Sequence, residues 1–87
     1  MKIIVEEEIN AGYLYLNYDK PEKTVEFGDC YLVDLNDKGA VSGLEVLDIR
    51  GGIFDSELFR TEFSVPPVIL ESIERGLKAL KESAISE

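Results

Sequence analysis

Residues Asp29–Asp48, DCYLVDLNDKGAVSGLEVLD, read as two strands joined by a tight turn, and the rest of the chain is organised around them. In Cys30–Leu35 the apolar residues are too dense for a strand wetted on one face, yet alternation survives. Tyr31, Val33 and Leu35 point one way, Cys30, Leu32 and Asp34 the other. Asn36-Asp37-Lys38-Gly39 supplies a hairpin connection: side chains that bond their own backbone and a glycine free to take positive φ. The returning strand, Ala40–Val46, sets Leu44 and Val46 on one face and Glu45 on the other. After Val46 the phase breaks, since Leu47 and Ile49 are apolar and Asp48 is not, which predicts a bulge or the strand end there.

Upstream, Lys2–Val5 is apolar and β-branched, a strand closed by Glu6-Glu7-Glu8. Three like charges in a row read as a solvated strand end guarding against edge pairing rather than as a metal patch. Asn10-Ala11-Gly12 is expected to turn. Tyr13–Tyr18 then alternates, with Leu14 and Leu16 on one side and Tyr13, Tyr15 and Asn17 on the other. Asp19–Lys23 carries a proline and reads as a loop, and Thr24–Phe27 is a short third strand ended by Gly28-Asp29.

Beyond the central hairpin, Gly51-Gly52 marks a change of structure. Ile53–Phe59 is expected to form a short helix, and Pro66-Pro67 to open a longer one running to about Ser83. In that helix Ile69, Ile73, Leu77 and Leu80 form an apolar stripe, backed by the i,i+4 pairs Glu71/Arg75 and Glu74/Lys78. Gly76 within it costs roughly 1 kcal/mol against alanine unless the backbone there lies close against a neighbour. The predicted fold is α+β: an antiparallel sheet of four to five strands with the C-terminal amphipathic helix across one face.

At 87 residues the chain is one domain, and 45% hydrophobic with 31% charged residues is the balance of a folded, soluble protein. No run approaches the roughly 20 apolar residues of a membrane span, and the acidic N-terminal stretch lacks a signal-peptide core. The expected location is cytoplasmic, with no membrane partner. Nine basic residues against eighteen acidic ones give a net charge of −9, which disfavours nucleic acid and suits a basic protein partner.

Chemistry is scarce. The absence of histidine removes the commonest general base and metal ligand, and neither a phosphate loop nor a dinucleotide fingerprint is present. The single cysteine, Cys30, reads as a small packed side chain within a strand. Asp34, Asn36, Gly39 and Glu45 match four positions of a calcium loop, but Lys38 would place a cation in the cage. No catalytic, cofactor or metal residues are therefore assigned. If Leu14, Leu16, Val33, Leu44 and Val46 face the helix, the opposite face shows Tyr13, Tyr15, Cys30 and Leu32, with Phe27 at its margin. Glu26, Asp34 and Glu45 are expected toward the edge. A face rich in tyrosine and leucine suits a partner, and the expected one is a second copy of the chain in a homodimer.

The stretches Ala11-Gly12-Tyr13-Leu14-Tyr15-Leu16, Leu32-Val33-Asp34-Leu35-Asn36 and Val41-x-Gly43-Leu44-Glu45-Val46-Leu47-Asp48, with the turn ending at Gly39, resemble a prokaryotic domain of unknown function, DUF family 2283. The likeness spans roughly residues 9–49. It implies a compact α+β domain with an antiparallel sheet and no catalytic residues to carry over. Some members resemble the antitoxin-side partners of small toxin genes. The function expected is a non-enzymatic interaction or self-associating domain. An acidic antitoxin-like partner of a basic toxin, and a small-ligand binder or carboxylate-based enzyme, are the alternatives.

Overall fold

A computed structural model describes residues 1–17 and 19–85. Five strands, β1 (Lys2–Glu6), β2 (Ala11–Tyr15), β3 (Lys23–Phe27), β4 (Tyr31–Leu35) and β5 (Val41–Val46), are followed by helices α1 (Ser56–Phe63) and α2 (Pro67–Ile85). All neighbouring strands are antiparallel, in the order β1-β2-β5-β4-β3. The last strand in the chain is thus the middle strand of the sheet. It joins the β1–β2 hairpin to the β3–β4–β5 meander, and the α+β architecture with α2 on one face is the one the sequence predicts.

Local chemistry explains where the boundaries fall. Glu7–Ile9 form a single 3-10 turn, and Asn10, which closes it, takes the left-handed conformation at φ 55°. Asparagine tolerates that region, and its amide is held from both sides, donating to Asp48 Oδ1 at 2.6 Å and accepting from the Arg50 N–H. The turn expected over Asn10–Gly12 is therefore complete at Asn10, and Ala11 and Gly12 already pair in β2. That strand ends at Tyr15 rather than continuing; Leu16 and Asn17 both donate to the Ser42 carbonyl, and Tyr18 lies outside the described residues.

The β4–β5 turn forms as predicted, with the Asn36 side-chain oxygen accepting from Lys38 and Ala40 N–H groups. The strand also ends after Val46, one of the two outcomes expected there, and a bulge not expected from the sequence lies earlier in it. Asp34 pairs with Gly43 and Leu35 with Val41, so Ser42 is extra, and its hydroxyl reaches the Asp34 carbonyl at 3.3 Å. Inserting one residue shifts the side-chain phase by one, which is why Val41, Leu44 and Val46 are all buried.

Helix α1 starts three residues later than predicted. Asp55 is its N-cap, accepting from the Leu58 N–H at 3.0 Å, and Ser64 closes it in the left-handed conformation. This leaves Ile53 89% exposed and sets Phe59, fully buried, edge-on to Phe27 at 5.1 Å. Phe27 consequently belongs to the core, with Tyr31, Phe54 and Phe63 around it, and not to the margin of the open face.

In α2 the buried line is Ile73, Gly76 and Leu80. Leu77 is half-buried, while Ile69 is 36% exposed beside the open groove that Leu16 and Val41 also line. A Cβ on Gly76 would stand 3.0 Å from both Leu14 methyls, so glycine allows the helix axis to approach β2. Glu74 accepts from the Ser56 hydroxyl at 2.9 Å and so ties the two helices together. No helix among the described residues is long and apolar enough to cross a membrane.

Candidate functional site

The helices leave one face of the sheet uncovered, and strand register decides what stands on it. One row across the strands reads Ile4, Tyr13, Glu45, Leu32, Glu26; the next reads Lys2, Tyr15, Gly43, Asp34, Thr24. Of the four residues assigned to this face from the sequence, Tyr13, Tyr15 and Leu32 are here, each half-buried. Cys30 is not. It lies in the turn one residue before β4, outside the strand, and packs against the core near Gly52. The alternation that placed it on the face stops with the strand.

The acids are also distributed otherwise than expected. Glu26 is on the edge strand, but Glu45 is on β5, in the middle of the sheet, directly between Tyr13 and Leu32. The uncovered face therefore mixes apolar and aromatic side chains with charged ones, and Glu45 stands at the centre of its first row.

Tyr13 is fixed in place. Its ring runs across Gly43, where a Cβ would overlap the hydroxyl and lie 2.7 Å from Cζ, and the hydroxyl donates to Asp34 Oδ2. The other Asp34 oxygen accepts from Thr24 Oγ1 at 2.6 Å, so one chain of contacts spans β2, β5, β4 and β3. Tyr15 leans on Tyr13 with ring centroids 4.4 Å apart, and the Lys2 ammonium stands 6.0 Å above the Tyr15 ring. Burial, then the hydrogen bond to Asp34 and the negative charge nearby, raise the Tyr13 phenol well above its ordinary value. A phenol held in its neutral form is a rigid donor rather than a base. Gly43 was the one sequence signal for this arrangement, because glycine inside a strand often marks close approach of another group.

Beside this platform, β1, β2 and β5 enclose a groove of about 250 Å3 lined by Ile4, Glu6, Ile9, Ala11, both tyrosines and Glu45. Ile4, Glu6 and Ile9 were not singled out from the sequence, since nothing local shows that the turn after β1 folds beside Tyr13. A second hollow, about 480 Å3, lies between α2 and the loop before α1 and is lined by Tyr31, Phe54 and Leu77. It carries two lysines and two glutamates, so its charge selects neither sign. Among the described residues no group of three or more cysteine, aspartate or glutamate side chains is placed to hold a metal. Compared with protein-family models, curated proteins and solved structures, the chain matches none.

Proposed function

We propose that the chain is a non-enzymatic protein-interaction domain that docks a partner with a basic surface on the uncovered face of its sheet. The observation that carries this is Glu45 standing between Tyr13 and Leu32 at the centre of the face. Tyrosine and leucine provide area that gains from leaving water, and a preorganised platform loses little freedom on binding. The central carboxylate, in a chain of net charge −9, sets the sign of the partner. A second copy is the poorer fit, because two-fold pairing through this face brings each Glu45 toward its own equivalent. An antitoxin-like protein opposite a basic toxin would be one instance of such a domain.

The test is amide NMR of the labelled protein titrated with an octapeptide of alternating arginine and leucine. Shifts confined to β2, β5 and β4, and lost in Leu32→Lys and Tyr15→Lys, are expected. Shifts spread evenly over α1 and α2 would sink the assignment of the face.

A further inference from the structure

Resting on that docking reading, the geometry points to the groove beside Tyr13 as a receptor for one arginine side chain of the partner. The groove combines three features that an arginine needs and that few other groups use together. Its apolar wall, Ile4, Ile9 and Ala11, matches the methylene stem, which arginine packs along apolar surface while its charged head stays polar. Glu6 and Glu45 both line it and no basic residue does, so a guanidinium entering it meets two carboxylates. Tyr13 and Tyr15 line it too, and guanidinium stacks on aromatic faces more readily than ammonium does.

Size and rigidity agree with this occupant. A hollow of about 250 Å3 is smaller than the roughly 300–1,000 Å3 typical of sites for whole small-molecule ligands, and fits a single long side chain entering from a partner. Tyr13 cannot swing to fill it, because its hydroxyl is bonded to Asp34 and its ring lies over Gly43. Lys2 already stands over the Tyr15 ring at 6.0 Å, which leaves the Tyr13 ring as the aromatic surface for the guanidinium.

The probes are two octapeptides, one alternating arginine with leucine and one alternating lysine with leucine, titrated by calorimetry and mapped by amide NMR. The arginine peptide should bind several-fold more tightly, and Glu45→Gln should weaken it by roughly tenfold. Glu6→Gln should weaken it in the same direction, with circular dichroism of both variants unchanged. If both peptides map to the face with equal affinity and Glu45→Gln changes nothing, the arginine groove is wrong while the docking face stands. If neither peptide shifts the face, both readings fall together.

Discussion

Gly43 and Tyr13 occupy the same space on the open face: the tyrosine ring lies where any side chain at residue 43 would begin. A glycine in the middle strand of a sheet sacrifices packing and conformational restriction. Here it lets a residue of β2 reach past β5 and bond with Asp34 on β4. Strands β2 and β4, which share no backbone ladder, are thereby joined by a side chain across β5.

Gly43→Ala should displace Tyr13, break its bond to Asp34 and destabilise the domain by about 1–3 kcal/mol, the usual range for forcing extra carbon into filled space. In a Tyr13→Ala background the same change should cost little or even stabilise, since the obstructing ring is gone. Denaturant unfolding of the four proteins in the cycle measures this coupling. Equal effects of Gly43→Ala in both backgrounds would mean that the ring does not lie there.

Alkaline pH should destabilise the protein partly through Tyr13. Its folded value is raised above the ordinary phenol value of about 10, so between these values the unfolded chain has released a proton that the folded one retains. The stabilisation is complete below about pH 10 and is lost as pH rises through the folded value. Tyr31, raised first by burial and then by Cys30 and Asp48, adds to the same slope. Lysine titration is common to all variants, so the test is the difference. Melting temperature against pH should fall less steeply for Tyr13→Phe than for wild type, and parallel curves would remove Tyr13 from the account.

The α2 stripe should divide by depth. Ile73, fully buried, cannot accept a charge, and Ile73→Asp should cost several kcal/mol out of a total of about 5–15 and leave the chain unfolded. Half-buried Leu77 should show an intermediate loss as Leu77→Asp, while Ile69→Asp, at a position 36% exposed, should stay within about 1 kcal/mol of wild type. Thermal melts of the three rank them, and equal losses would mean that the helix seals the sheet along its whole length.

Most of the strands, the central turn and the long helix were legible because their signals are local. Tyr31, Val33 and Leu35 alternate, Asn36–Gly39 turns, and α2 repeats its apolar residues with helical spacing. The errors came where one local signal outranked another. Asp55 is a capping residue ahead of α1, yet the apolar pair Ile53-Phe54 drew the helix start too early. Val41, Leu44 and Val46 cannot share a face without an inserted residue, so their spacing already contained the bulge at Ser42. The central place of Glu45 was not legible in the same way. It follows from β5 pairing with β2, strands separated by the whole β3–β4 hairpin, and nothing in the intervening residues announces that partnership.

That placement leads to an expectation about self-association. With Glu45 between Tyr13 and Leu32, two copies meeting through the open face would bring like charges into a surface losing water, an arrangement that costs far more there than in solution. The wild type should therefore sediment as a monomer at micromolar concentration and low ionic strength. Glu45→Leu makes the row Ile4, Tyr13, residue 45 and Leu32 continuously apolar, and that variant should self-associate. Added salt should strengthen the pairing, because it screens the repulsion between chains that are each strongly negative. Leu32→Lys introduced beside Glu45→Leu should restore the monomer, which separates pairing through this face from general stickiness. A wild-type dimer that Leu32→Lys dissociates would overturn the choice of a basic partner and make the second copy the occupant of the face.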